Sequence, residues 1–378
     1  MTRSLLVIQD SLDFGGHEAM FLRFLPALVE SRVFDRIAMR FPAGNVRLSD
    51  RLAPFASERF DAKGWGFTKQ RAEPYLAGFR QGYARAVRHL IAEERPTTTL
   101  LLQGRIENCA VPTLAAPADQ FLVSYVPMAH RMTELGRAAV PGDIVRRRLY
   151  RRPDRFIVPG RAVAGQVTAA GGRAPVAVVD NVVDPPPRPG RDGARVALGL
   201  EQEARVALFL GRLDVRQKGL DTLADAIRRQ AERLSGWTFL IVGGGEGAAL
   251  CEELRTELEG RVALRTIPWT ERPQDALAAA DVLLMPSRWE GVPLVMLEAM
   301  TYGLPLLASE IDVFRDYLPD THRIDFATAD LAAAMARVIE PDRLSAYRAL
   351  AARRLAEGGL ARSSERFVAA LLPEWTPA

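Results

Sequence analysis

Only two cysteines occur in 378 residues, Cys109 and Cys251, far apart and without Cys-x-x-Cys spacing. That count argues against a disulfide scaffold or a zinc site and fits a reducing compartment. Lysine is nearly as scarce: Lys63, Lys69 and Lys218 are the only three, and arginine supplies the rest of the 50 basic residues. In such a chain a lysine inside a motif suggests that a compact ammonium is wanted there. No Asp-x-Asp motif occurs, so the usual carboxylate pair for a bridging Mg²⁺ is missing, and neither a metal nor another cofactor is expected. No apolar run approaches membrane-spanning length. The N-terminus offers only Leu5 to Ile8 before Gln9 and Asp10, so no signal peptide is expected and a cytoplasmic enzyme is the default. There is no internal repeat at 20 to 50 residues and no low-complexity segment.

What remains is ordinary for a globular protein, with 48% hydrophobic and 25% charged residues. The length exceeds one typical core and suggests two domains. The net charge of +4 hides an asymmetry: residues 1–180 carry 26 Lys/Arg against 17 Asp/Glu, and residues 181–378 carry 24 against 29. No nucleic-acid partner is expected.

Short apolar runs alternate with helical patterns along the whole chain, the signature of parallel sheets flanked by helices. Strands are expected at 4–9, 36–41, 98–103, 120–126, 154–158 and from Val176. Helices are expected at 19–30, 71–94, 105–116, 143–151 and 161–170. The run Pro185-Pro-Pro-Arg-Pro-Gly190 reads as a linker. A second series then places strands at 206–210, 238–242, 262–267, 281–285 and 305–308, with further helices at 328–339, 342–357 and 360–372.

The most informative stretch runs from Ala280 to Met300. Val282 to Met285 reads as a strand buried on both faces, Ser287 to Val292 as a loop, and Pro293 as the first residue of a helix ending near Tyr302 and Gly303. Glu290 lies in the loop and Glu298 among Leu, Val, Met and Ala. One reading makes Glu298 half of a core salt bridge and Glu290 a solvated carboxylate. The other has Glu298 accepting hydrogen bonds from ligand hydroxyls, while the free N–H groups of residues 291 to 295 face an anion. The pattern Pro-Ser-x-x-Glu-Gly-x-Pro-Leu-x-x-x-Glu-Ala-Met resembles the signature of retaining glycosyltransferases of family 4. Gly211-Arg212-Leu213-x4-Lys218-Gly219-x-Asp221 resembles that family's second signature. Arginine offers a planar donor fork and lysine a mobile point charge, and both suit a diphosphate; the alternative is a solvated loop.

The resemblance implies an α/β GT-B fold, two doubly wound Rossmann-like domains facing across a cleft. The expected boundaries are 1–184 for the acceptor side, 185–195 for the linker, 196–359 for nucleotide-sugar binding, and 360–378 for a helix crossing back to the first domain. It implies transfer of a sugar from a UDP- or GDP-sugar to an acceptor hydroxyl with retention of configuration. Arg212, Lys218, Glu290 and His130 would be catalytic. Glu298 would hold the ribose, and Gly15, Gly16, Gly291, Val292, Pro293, Leu294 and Val295 would line the donor. Cationic side chains would do the work of a metal. Gly15-Gly16-His17-Glu18 resembles the family's Gly-Gly-x-Glu turn, with His17 where a small residue is usual, although a glycine pair also serves a plain tight turn. Gly243 to Gly247 reads equally as a nucleotide-facing loop or a tight turn, and Trp269 stands where the family commonly has a glycine. A peripheral membrane contact through Arg146, Arg147, Arg148, Arg151 and Arg152, with Ile144, Val145 and Leu149 as its apolar side, is a further expectation. The alternative there is a solvated or acceptor-binding basic face. A GT-B nucleotide-sugar 2-epimerase and a non-catalytic sugar-nucleotide-binding subunit are the competing functions.

Overall fold

In the computed structural model, which describes residues 3–134, 140–183 and 188–376, the chain divides into two compact units. The first comprises Met1–Val182 and Gly358–Ala378, the second Val183–Glu357.

The first unit holds a seven-stranded parallel sheet: β1 (Ser4–Ile8), β2 (Arg36–Pro42), β3 (Phe60–Trp65), β4 (Thr98–Leu102), β5 (Leu122–Tyr125), β6 (Arg155–Val158) and β7 (Val176–Val178), in the order β3-β2-β1-β4-β5-β6-β7. The strands expected from apolar runs are present, and β4 is buried at every residue. β3 escaped that reading because Asp61, Lys63 and Gly64 interrupt its apolar pattern. Its place at the sheet edge explains this, since an edge strand has one side free for polar residues. The helix expected over 71–94 is instead Glu73–Leu76, a 3₁₀ turn at Ala77–Phe79 and Gln81–Glu94, with Ala72 left-handed before the first piece. The helix expected over 105–116 shrinks to Ala110–Ala115. Cys109 at its start is also left-handed, and its N–H is taken by buried Asp10 at 2.8 Å.

The second unit holds β8 (Arg205–Leu210), β9 (Trp237–Val242), β10 (Ala263–Ile267), β11 (Val282–Met285) and β12 (Leu306–Ala308), all parallel, ordered β10-β9-β8-β11-β12. Its core gathers Phe209, Leu223, Ile227, Phe239, Leu254, Leu284 and Met335 between sheet and helices. Pro185, Pro186 and Pro187 of the expected linker lie outside the described residues. The linker is shorter than 185–195, because Arg191–Ala197 is a helix belonging to the second unit. Fully buried Arg195 fixes it there, pairing with Asp281 at 3.0 Å and donating to the Ala279 carbonyl at 3.1 Å.

The helix Leu360–Ala370 packs in the first unit, where Phe367 stacks on Phe24 with ring centroids 4.9 Å apart. Arg155 secures the end of this helix and the residues beyond it. Its guanidinium donates to the carbonyls of Ala370 (3.0 Å), Leu372 (2.5 Å), Pro373 (3.2 Å) and Trp375 (3.0 Å), between the rings of Phe121 and Trp375. The Ala370 carbonyl is an orphan acceptor of the helix C-terminus, the other three belong to the turn beyond it, and one cation satisfies all four. Burial lowers the Arg155 pKa, yet four acceptors hold its charge in place. With hydrogen bonds to a charged group contributing about 1.5–3 kcal/mol, Arg155→Met should destabilise the first unit by about 3 kcal/mol. Urea denaturation measures the loss, and hydrogen exchange should show it first in the amides of 360–376.

Candidate active site

In open α/β sheets ligands bind beyond the carboxyl ends of the strands, where strand order reverses. In the second sheet that reversal lies between β8 and β11. The loop after β8 carries Arg212 and Lys218, and the loop after β11 carries Glu290. The structure joins them. Lys218 Nζ donates to Glu290 Oε1 at 2.5 Å, and the Ser287 hydroxyl donates to the same oxygen at 2.8 Å. Glu290 is 3% exposed, so the solvated reading of this carboxylate is overturned: the ammonium and the hydroxyl replace its water. Arg212 keeps 57% of its side chain exposed and donates to Gln217 Oε1 at 2.9 Å.

Two glycines let these loops approach. Gly219 has φ +64°, and a Cβ there would lie 2.0 Å from the Pro286 carbonyl oxygen, the point where the two loops touch. Gly243 has φ +154° and would place a Cβ 1.8 Å from the Gly211 carbonyl oxygen. The run from Gly243 to Gly247 therefore serves backbone packing on the Arg212 loop, with Leu213 N–H donating to Gly244 O at 2.9 Å and Gly247 N–H to Leu213 O at 2.8 Å. Trp269, in the loop after β10, is 58% exposed.

Pro293 is the cap of the helix Leu294–Tyr302, with extended backbone, rather than its first helical residue. The chain thus enters the helix one residue later than the sequence pattern suggests. Gly291 and Val292 are buried, Pro293, Leu294 and Val295 half-buried, and Glu298 is half-buried in the next turn. Three residues outside the expected set hold the site together. Gln217, 3% exposed, receives Arg212 and donates its own N–H to Asp214 at 2.7 Å. Ser287 orients Glu290, and Arg288 ties the two loops through Asp221. Glutamine, serine and arginine in loops carry no periodic signal, and only their position inside the two signatures marks them.

The first sheet reverses between β1 and β4. Gly15 caps the helix Gly16–Glu30, and its N–H donates to Glu18 Oε2 at 2.7 Å. Glu18 is fully buried; its other oxygen accepts from Gln9 at 2.7 Å and lies 2.8 Å from His17 Nε2. Burial pushes the Glu18 carboxyl up, and the His17 and Gly15 donors outweigh it, leaving it below the usual range. The His17 ring fills the space beside Gly104 in the loop after β4, where a Cβ would meet the ring at 2.8 Å. Asp10 is buried by the same loop, and burial raises its pKa to about 6 against the opposing hydrogen bond from Cys109 N–H.

His130 follows β5, with 11% of its side chain exposed and Nδ1 3.8 Å from Glu134. Its carbonyl accepts from Arg146 Nη1 at 2.8 Å, and Arg146 pairs with Glu107 of the β4 loop at 3.1 Å. This changes the expected basic face. Arg146 is 5% exposed and Leu149 1% exposed, so both belong to the interior; Ile144, Arg147, Arg148 and Arg151 face outward, while the side chain of Pro141 lies outside the described residues. Among the described residues no helix is long and apolar enough to cross a membrane.

Residues 204–341 match the family model described as "Glycosyl transferases group 1". Within the second unit, this stretch is thus similar to a group 1 glycosyltransferase domain. It contains every residue of both sequence signatures. The chain is similar to a phosphatidyl-myo-inositol mannosyltransferase of Mycolicibacterium smegmatis, 32% identical over 173 residues that cover 44% of this chain and 42% of that protein. It is also similar to a D-inositol 3-phosphate glycosyltransferase of Streptomyces scabiei, 29% identical over 79% of this chain and 72% of that protein. The first of these matches spans less than half of its relative's length. Anabaena Alr3699/HepE, solved in complex with UDP and glucose, superposes with a TM-score of 0.73 at 19% identity over 96% of this chain and 97% of that one. WaaG, a glycosyltransferase involved in lipopolysaccharide biosynthesis, superposes with a TM-score of 0.69 at 14% identity over 98% and 100%. With the two parallel sheets, these likenesses make the fold GT-B, two Rossmann-like domains.

Proposed function

We propose that the protein is a retaining glycosyltransferase of family 4, moving a sugar from a UDP- or GDP-sugar to an acceptor hydroxyl. The observation that carries this reading is the Lys218–Glu290 pair at the β8/β11 reversal, with Arg212 on the same loop. A departing nucleoside diphosphate gathers negative charge on its oxygens, and preorganised cations stabilise that charge most where it grows. Lys218 and Arg212 supply the cations, the N-terminus of Leu294–Tyr302 adds its dipole, and Glu290 holds Lys218 in place and contacts the transferred sugar. Glu298 accepts the ribose hydroxyls. Gly15 and Gly16 approach the donor, and His130 faces the sugar. The relatives named for phosphatidyl-myo-inositol and D-inositol 3-phosphate make inositol-based acceptors the first to screen.

The test is product analysis with UDP- and GDP-sugars, with and without acceptor, in excess EDTA. Acceptor-dependent transfer is expected to survive chelation, because the chain has no Asp-x-Asp motif. Strict dependence on added Mg²⁺ or Mn²⁺ would return the diphosphate to a metal. The two carboxylates should then separate by calorimetry. Glu298→Gln should weaken nucleoside-diphosphate binding about tenfold to a hundredfold, the value of a hydrogen bond to a charged group. Glu290→Gln should impair transfer while leaving that binding nearly unchanged, and the reverse pattern would exchange their roles.

A peripheral contact with an anionic membrane surface through Ile144, Arg147, Arg148 and Arg151 is part of the same proposal, placed in the cytoplasm at the inner face. Flotation with anionic liposomes at low salt tests it, and absence of binding assigns the face to a soluble acceptor or to solvent.

A further inference from the structure

The two loops that meet at the proposed donor site are joined by one side chain with no place in either expected set of site residues. Arg288 Nη1 donates to Asp221 Oδ1 at 2.8 Å, to Val215 O at 2.9 Å and to Arg216 O at 3.2 Å. Its Nη2 donates to Asp221 Oδ2 at 2.9 Å and to the Thr222 hydroxyl at 2.7 Å, and its backbone N–H to Gln217 O at 2.9 Å. A planar guanidinium thus grips the end of the Arg212–Lys218 loop and the first turn of the helix Leu220–Arg229. Its own backbone lies two residues before Glu290.

We propose that Arg288 is a positioning residue, which with Asp221 sets the registry between the loop carrying Lys218 and the loop carrying Glu290. The reasoning is one of magnitudes. Arg288 and Asp221 keep 41% and 39% of their side chains exposed, and exposed ion pairs contribute little to global stability. Burial pushes the Asp221 carboxyl up, and the Arg288 fork outweighs it, holding the group below its usual range. The pair therefore exists with fixed, bidentate geometry but little to add to the fold. What it does control is local: Lys218 stands three residues before Asp221, and Glu290 two residues after Arg288. A misplacement of about 1 Å in a reacting site is enough to lower a rate about a hundredfold. Lysine cannot replace this arginine, because a point charge does not span both carboxylate oxygens and two carbonyls.

This inference rests on the transferase reading, and its test separates the two. The variants are Arg288→Met, Arg288→Lys, Asp221→Asn and the exchange Arg288→Asp with Asp221→Arg, compared with wild type. With Lys63, Lys69 and Lys218 as the only lysines, protein labelled at the lysine ε-carbon gives one resonance for each, and Lys218 is identified by its loss in Lys218→Ala. Arg288→Met should move the Lys218 resonance and leave those of Lys63 and Lys69 in place. It should lower kcat by about ten- to a hundredfold, leave the affinity for UDP or GDP, whichever binds, within twofold, and shift the melting temperature little. The charge exchange should recover part of kcat, and Arg288→Lys should not. An unmoved Lys218 resonance overturns the proposal, as does a loss of nucleotide affinity and melting temperature in proportion to kcat, which would make the pair merely structural. If wild type turns over no nucleotide sugar, the transferase reading fails, while the resonance arm still decides the registry.

Discussion

Lys218→Ala is expected to lower the transfer rate by about a hundredfold to a thousandfold while changing nucleoside-diphosphate affinity far less. That loss is typical of removing one preorganised donor aimed at charge that develops in the transition state. The structure sharpens the expectation. The ammonium already lies 2.5 Å from Glu290, which is 3% exposed. Its removal leaves a buried carboxylate that keeps the Ser287 hydroxyl but loses the cation at the same oxygen. Two defects arise from one change: the departing diphosphate loses its cation, and Glu290 loses the charge that balances it. Lys218→Ala with Glu290→Gln removes the second defect and keeps the first. The double variant should therefore regain stability relative to Lys218→Ala without regaining rate. Single-turnover kinetics with the active donor and urea denaturation of all three proteins measure this. A double variant that recovered rate as well would place Lys218 in service to Glu290 alone.

Gly219→Ala is expected to be nearly as damaging to activity and far more damaging to the fold. At φ +64° an L-residue costs about 1–2 kcal/mol, and the added Cβ would meet the Pro286 carbonyl oxygen at 2.0 Å. Backbone, not a yielding side chain, stands in the way, so the β8 and β11 loops must part. Overpacking of this kind costs about 1–3 kcal/mol more. The melting temperature of the second unit should fall by several degrees, and kcat should fall with it because Lys218 moves away from Glu290. Gly193→Ala is the control: nothing stands within 4 Å of the added methyl, and activity should stay at the wild-type level. Equal stability of Gly219→Ala and wild type would show that the loops are not in contact in solution.

What the sequence determined by itself was the fold class and the two signature loops. Parallel strands buried on both faces must be written as continuous apolar runs, as in Leu5–Ile8 and Val282–Met285, and such runs are legible without coordinates. The signatures were legible because the residues of each loop are contiguous. Elements with mixed composition were not. The edge strand Phe60–Trp65 carries Asp61 and Lys63 because only one of its sides is paired. The helix after β4 is short because Asp10, 99 residues away in sequence, claims the Cys109 N–H. Only the tertiary structure decided which charges are spent on the fold. Arg146 and Leu149 turn inward from what reads as a basic amphipathic face, and Arg155 closes the C-terminal helix. Glu290 meets Lys218 across 72 positions of chain. A charge has the same letter in a loop, a latch or a site, and its role is set by the partner that replaces its water, which only the folded chain brings within reach.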